Sequence, residues 1–154
     1  MITRSSIYYA KIMLFGEYSV IKNSMALTVP YGHFNGELSY IFDNQYTDYD
    51  FAKQSNLKLY DLLGYIKDLK HQNRLPCNFK IDNFANDLHN GMYFESSIPE
   101  SFGIGSSGAL IAALYNRYVT DRPKPEYMNS RDMVDLKYQL AQLEGFFHGT
   151  SSAI

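Results

Sequence analysis

Cysteine is nearly absent from this chain of 154 residues, which contains Cys77 alone. A single thiol cannot form an internal disulfide, and it has no second cysteine with which to hold a metal ion. Histidine is sparse as well: His33, His71 and His89 do not show the spacing of metal ligands, so we expect no zinc site. We interpret Cys77 as a small packing residue.

Long runs of one residue class are also missing. The longest strongly apolar run, residues 109–115, is far shorter than the roughly 20 residues that cross a bilayer. The net charge is −2 and no run of Lys or Arg occurs, which argues against a nucleic-acid or membrane partner. We therefore expect a cytoplasmic protein. With 45% hydrophobic and 19% charged residues, the chain fits one domain over residues 1–154.

The predicted order of elements, an antiparallel meander followed by a helix, a strand pair and further helices, is of the α+β class. Runs rich in aromatic and β-branched residues predict strands over residues 6–15, 19–21, 25–29, 36–42, 78–84 and 91–97. Pro30 is expected to end the third of these, and the last two are expected to pair with each other. Apolar residues at helical spacing predict a helix over 53–72, a second after residue 106, and a third that ends near Phe147 with Asn129 or Ser130 as its cap. The expected fold is an antiparallel or mixed sheet with about three helices against it.

The chain is organised around residues 98–108, which we call the glycine-serine loop and which read Ile-Pro-Glu-Ser-Phe-Gly-Ile-Gly-Ser-Ser-Gly. Pro99 favours an extended entry, and the three glycines let the backbone approach a ligand closely. Ser106 and Ser107 can cap the helix that follows. Free N–H groups at the positive end of a helix suit a di- or triphosphate. An ordinary strand-to-helix turn would show similar residues, so the neighbouring segments decide between the two.

Two further segments carry charged residues in unusual places. Lys11 lies inside a predicted strand, where it either faces solvent or points at a bound anion. Glu144 lies near the C-terminal end of its helix, where the helix dipole disfavours an anion by about 0.3–1 kcal/mol. Either it is an exposed helix glutamate, or a cation such as Mg²⁺ compensates for its position.

Together the three segments resemble the three motifs of the GHMP kinase superfamily, most closely its mevalonate kinase branch. Lys-Ile-Met-Leu-Phe-Gly-Glu-Tyr from residue 11 is similar to the first motif, and Gly-Ile-Gly-Ser-Ser-Gly-Ala from residue 103 to the second. Glu-Gly-Phe-Phe-His-Gly-Thr-Ser-Ser-Ala-Ile, from residue 144, is similar to the stretch that leads to the catalytic aspartate. The resemblance implies the N-terminal domain fold of these kinases, a sandwich of mixed or antiparallel sheet and helices, and ATP-dependent phosphorylation of a small-molecule hydroxyl.

The resemblance also implies roles for individual residues. The ATP phosphates would lie on Pro99, Gly103, Ile104, Gly105, Ser106, Ser107 and Gly108. Mg²⁺ would be held by the Ser107 hydroxyl and the Glu144 carboxylate, and Lys11 would act in catalysis beside the acceptor hydroxyl. Glu17, Tyr18 and His148 match motif positions near the substrate or supporting the site, without an assigned chemical step.

Departures from the family pattern keep alternatives open. Ala10 stands where the family often has Gly, Tyr18 where mevalonate kinases commonly have His, and Ser101-Phe102 where a Gly-Ala pair is usual. Phosphomevalonate kinase or another GHMP kinase is therefore the alternative enzyme. A non-catalytic nucleotide- or RNA-binding domain of the same fold is the alternative class, although the chain lacks the basic face that RNA requires. Gly-Lys-Ser/Thr and His-Arg-Asp are absent, which argues against Walker-type NTPases and protein kinases.

The resemblance places the catalytic aspartate immediately after Ile154, where the sequence ends. We therefore expect an N-terminal fragment that transfers phosphate poorly on its own, because a lost general base costs about 10²–10⁴-fold in rate. The face that a C-terminal domain would cover is expected to favour a homodimer.

Overall fold

The computed structural model describes residues 6–15, 26–42, 48–100 and 102–148, and within them the chain forms an α+β fold. Three antiparallel strands form a sheet in the order β1-β2-β3. In chain order the elements are β1 (Tyr8–Phe15), β2 (Leu27–Tyr40), α1 (Tyr49–His71), α2 (Ile81–His89), β3 (Met92–Ser96), α3 (Ser106–Tyr118), a 3-10 turn (Pro125–Tyr127) and α4 (Ser130–His148). The predicted α+β class and antiparallel sheet are confirmed.

Capping hydrogen bonds fix where two of the predicted helices begin. The helix predicted over 53–72 begins earlier, at Tyr49, because the Asp48 carboxylate accepts a hydrogen bond from the Phe51 amide at 3.1 Å. At the start of α4, the Asn129 side chain accepts from two amides of the first turn, and the Asp132 carboxylate accepts from the Asn129 amide at 3.0 Å. This reciprocal arrangement is a capping box, and it confirms Asn129 as the cap.

The expectation that Pro30 ends a short strand is wrong, because the 14-residue strand β2 continues through it and includes residues 36–40 of the segment predicted at 36–42. Pro30 lies opposite Lys11, whose amide donates to the Ile104 carbonyl and not across to β2. The pair is therefore of the type whose N–H groups point away from the partner strand. On the other side of β2, β3 pairs only with Gly36 to Tyr40. The missing proline N–H thus breaks no ladder bond, and the strand passes through. The strand predicted at 19–21 lies outside the described residues.

The strand predicted at 78–84 is also wrong, and the pairing expected between it and residues 91–97 does not occur. The chain instead forms α2, a fourth helix beyond the three expected. Its three buried residues, Ile81, Phe84 and Leu88, recur at helical spacing and face the core. Before them, Phe79 makes a single bridge to Val119. The strand predicted at 91–97 is confirmed as β3, and its partner is β2.

The core lies between the sheet and the helices: α1 packs on β3, and α3 packs on β1 and β2. A polar cluster joins α2 to the end of α3, where the Asp87 carboxylate accepts from the Arg117 guanidinium at 3.0 Å and from the Tyr118 hydroxyl at 2.6 Å. Burial and the Asp87 hydrogen bond raise the pKa of Tyr118 well above its usual value. None of the helices in the described ranges is long and apolar enough to cross a membrane.

Candidate functional site

The glycine-serine loop is fastened to the sheet by its backbone. The Lys11 amide in β1 donates to the Ile104 carbonyl at 2.9 Å. Upstream of this bond the loop starts from buried Ile98 and half-buried Pro99, directly after β3. The loop therefore connects the two outer strands of the sheet, and it delivers the start of α3 beside Lys11.

Two glycines of this loop adopt left-handed backbone conformations, Gly103 with φ 68° and Gly105 with φ 84°. A side chain at Gly105 would place its Cβ 2.9 Å from Lys11 Cγ, whereas a Cβ at Gly103 would meet no atom within 4 Å. Glycine is thus required at 105 by conformation and by space, and at 103 by conformation alone.

The helix cap differs from the prediction. Gly105 is the N-cap of α3, no side chain caps the helix, and the Gly105 carbonyl accepts from the Ala109 amide at 3.0 Å. The expectation that Ser106 or Ser107 caps α3 is therefore wrong, because both residues already lie inside the first turn. The serine hydroxyls are consequently available for other partners, and among the described residues no side chain accepts from the first-turn amides.

Ser107 uses its hydroxyl to reach another helix. Its Oγ donates to Glu144 Oε1 at 2.8 Å, which joins the first turn of α3 to the last turns of α4. The Glu144 side chain is 35% exposed, and His148 Nε2 lies 3.7 Å from the same oxygen. Gly108 lies beside the same carboxylate, since a Cβ there would be 3.9 Å from Glu144 Oε1, an ordinary van der Waals contact.

This arrangement accounts for the placement of an acidic residue near the C-terminal end of a helix. The dipole of α4 disfavours the Glu144 carboxylate, but the carboxylate contacts the first turn of α3, where the dipole favours an anion. The same positive helix end would attract phosphate. Glu144 and a phosphate group would then repel each other unless a cation lay between them.

The spacing of the two oxygens is that of an ordinary hydroxyl–carboxylate hydrogen bond, and it is also compatible with two ligands of one cation. Mg²⁺ takes oxygen ligands at about 2.0–2.1 Å in octahedral geometry, so neighbouring ligands lie about 2.9 Å apart. The separation of Ser107 Oγ and Glu144 Oε1 is 2.8 Å. No cluster of three His, Cys, Asp or Glu residues suited to a metal occurs within residues 6–15, 26–42, 48–100 and 102–148. A site with two protein oxygens is of the kind that Mg²⁺ completes with phosphate and water.

The remaining predicted residues are distributed unevenly around this centre. Lys11 is exposed, with its stem against Gly105, and His148 lies at the end of α4. Ile104 is half-buried and carries the bond to β1. Glu17 and Tyr18 lie outside the described residues. The structure thus brings together Lys11, the glycine-serine loop, Ser107, Glu144 and His148.

Two residues of this region were not predicted. Lys58 of α1 forms an ion pair with Glu100, the third residue of the loop, at 2.9 Å. Its Nζ also lies 5.8 Å from the centre of the Phe147 ring. Lys58 and Glu100 are 42 residues apart, and neither belongs to a recognisable motif, so no local signal indicates the pair.

A separate shallow depression of about 470 Å³ shares no residue with this site. It lies at the C-terminal end of α1 and is lined by Lys67, Lys70, His71, Asn73, Ile81 and Asp82. It is wide open to solvent, and its lining combines basic groups with an acidic one. The glycine-serine loop is the stronger candidate, because its two oxygens suit a cation and the helix end beside them suits the anion that such a cation would carry.

No protein-family model, curated protein or solved structure matches this chain. The resemblance to GHMP kinases accordingly stays a prediction that rests on the three segments of sequence.

Proposed function

We propose that this chain binds Mg·ATP on the glycine-serine loop and forms the nucleotide-binding part of a small-molecule kinase of the GHMP type. The observation that carries the proposal is the contact between Ser107 Oγ and Glu144 Oε1, which are 2.8 Å apart at the N-terminus of α3, where the cap is Gly105 and provides no side-chain acceptor. Two hard oxygens at the positive end of a helix suit a magnesium-bound phosphate.

The backbone would do most of the binding. The left-handed turns at Gly103 and Gly105 lead into first-turn amides that no side chain caps, and such amides donate well to phosphate oxygens. Ser107 and Glu144 would hold Mg²⁺, which when bound neutralises charge on the phosphates. The pair would also fix the metal relative to α3, because each oxygen comes from a different helix.

Lys11 of β1 would supply a cation beside the glycine-serine loop. Its amide bond to Ile104 and the contact of its stem with Gly105 fix where its side chain begins. From there the ammonium group could reach the transferred phosphoryl group or the acceptor hydroxyl. We assign it the catalytic role that the resemblance implies, and we assign His148, Glu17 and Tyr18 the substrate-related roles that the resemblance also implies.

For the acceptor we propose mevalonate or a closely related branched hydroxy acid, with phosphomevalonate as the alternative, in the cytoplasm. This choice rests on the Glu-Gly-Phe-Phe-His-Gly-Thr-Ser-Ser segment of the sequence. It is tested by a coupled ADP-release screen of the longest product of the gene against mevalonate, phosphomevalonate, homoserine and galactose. Turnover of a sugar alone would refute the branch while leaving the kinase class intact.

The nucleotide site itself is tested by calorimetry of ATP binding at a series of Mg²⁺ concentrations. Ser107→Ala and Glu144→Gln should each reduce the Mg²⁺ dependence of ATP affinity without abolishing binding, since the loop amides remain. Glu126→Gln, which removes the same charge from the exposed 3-10 turn, is the matched control. Mg²⁺ titrations that are identical in the wild type and both site variants would contradict the proposal.

A further inference from the structure

Lys58 joins the three elements that surround the candidate site. It projects from α1, its Nζ lies 2.9 Å from Glu100 Oε1, and it lies 5.8 Å from the Phe147 ring centre. Glu100 belongs to the glycine-serine loop, three residues before Gly103. Phe147 belongs to the last turns of α4, which also carry Glu144. The Lys58 ammonium group therefore contacts both the loop on which phosphate would bind and the helix that carries Glu144.

We propose that Lys58 is a positioning residue that orders the glycine-serine loop, and that its ion pair with Glu100 sets the affinity for nucleotide. This inference rests on the proposed function. Within the described part of the loop, the polar anchors on either side of Glu100 are the bond that the Ile98 amide donates to Ser96 Oγ at 3.1 Å and the Lys11 bond to Ile104; the Ser107 bond to Glu144 lies further on, in the first turn of α3. Glu100 lies between these two points, and among the described residues its side chain is held only by Lys58.

The size of the effect follows from the exposure of the pair. The Lys58 and Glu100 side chains are 44% and 73% exposed, so solvent screens their attraction. An exposed pair of this kind changes an equilibrium by at most about fivefold. Apparent affinity falls in proportion to the fraction of molecules whose loop is ordered. Loss of the pair should therefore weaken Mg·ATP binding by a factor of up to about five, with global stability nearly unchanged.

The sign of the effect at Glu100 separates positioning from simple electrostatics. If Lys58 acted only as a free cation near the phosphates, Glu100→Gln would remove a competing anion, and Mg·ATP binding would stay equal or become tighter. If the pair orders the loop, Glu100→Gln weakens binding, although it removes negative charge near a polyanion. Lys58→Met should weaken binding as well, and the double variant should be no weaker than Lys58→Met alone.

The experiment measures Mg·ATP dissociation constants by calorimetry and amide hydrogen exchange of residues 98–106 in the nucleotide-free chain. Glu100→Gln and Lys58→Met should each speed exchange in this segment. Lys58→Arg should exchange at the wild-type rate, because it keeps the charge. Lys53→Met, at an exposed lysine on the same helix, is the control and should change neither readout. Equal or tighter binding by Glu100→Gln, or unchanged exchange in both variants, would overturn the inference.

The two readouts also separate this inference from the proposed function. If the wild-type chain binds no Mg·ATP, the proposed function fails, while the exchange rates of the nucleotide-free chain still decide whether Lys58 orders the loop.

Discussion

Replacement of Gly105 by alanine should disturb the site more than the same change at Gly103, although both glycines have left-handed backbones. An alanine in this conformation costs about 1–2 kcal/mol at either position. At Gly105 the new Cβ would also lie 2.9 Å from Lys11 Cγ and 3.1 Å from Lys11 Cε, whereas at Gly103 it would meet nothing within 4 Å. Gly105→Ala therefore carries an additional cost.

That additional cost is the displacement of the Lys11 stem. A side chain pushed about 30° off its rotamer costs about 0.5–1.5 kcal/mol. In urea denaturation, with a slope of about 2 kcal/mol per molar, an excess near 1 kcal/mol lowers the unfolding midpoint by roughly 0.5 M relative to Gly103→Ala. Gly105→Ala should also weaken Mg·ATP binding more than Gly103→Ala, because it moves the cation of the site.

A double-mutant cycle with Lys11→Ala tests this reasoning. Truncation of Lys11 removes the carbons that the new Cβ would meet, so the two glycine variants should then have the same unfolding midpoint. An excess for Gly105→Ala that persists in the Lys11→Ala background would refute the explanation. Equal midpoints for the two glycine variants in the wild-type background would refute it too.

Three further outcomes follow from the packing and charge of the fold. Gly36→Ala should destabilise the protein by about 1–3 kcal/mol in urea unfolding, because its Cβ would lie 2.3 Å from Phe94 Cζ in the core; Gly32→Ala on the same strand, 4.0 Å from its nearest neighbour, is the control and should be nearly neutral. Burial and nearby negative charge raise the pKa of Cys77 from 9.0 to about 11, so a disulfide reagent at pH 8 should react roughly tenfold more slowly with the folded than with the urea-unfolded chain, because the smaller thiolate fraction is partly offset by the greater nucleophilicity of a more basic thiolate. Because the Cys77 thiol loses its proton at lower pH in the unfolded chain than in the folded chain, the same pKa shift predicts that the free energy of unfolding falls between pH 9 and about pH 11. Equal labelling rates for the folded and unfolded chain would contradict both predictions. Asp87→Asn should cost about 1.5–3 kcal/mol in urea unfolding, since it weakens the charge-assisted bonds to two side chains of α3, and an unchanged midpoint would show that the cluster contributes nothing.

The helices were predictable where the signal is local and long. The helix predicted over 53–72 corresponds to α1, and the apolar repeat ending near Phe147 corresponds to α4 with its Asn129 cap. Many turns of one period leave little ambiguity, and caps act within three residues. The segment 78–84 was too short for this: its alternating residues fit a strand, while Ile81, Phe84 and Leu88 fit a helix equally well.

The sheet depended on partners that the sequence does not name. A proline ends a strand where the ladder needs an N–H group at that position. Whether one is needed at Pro30 depends on the residue opposite and on how far β3 extends. Gly105 became the cap of α3 because the loop enters the helix through a left-handed turn beside Lys11. Both outcomes require knowledge of which segment lies next to which.

By itself the sequence determined the α+β class, the main helices and the glycine-serine loop as the centre of the candidate site, because these features arise from neighbouring residues. The family resemblance predicted that Ser107 and Glu144 share one site, and the structure shows them in contact across 37 residues, whereas tertiary structure alone decided that Lys58 meets Glu100 across 42. Such contacts form only when separate elements pack, and the free energy that brings them together comes from the apolar core beneath them, not from the polar groups that touch.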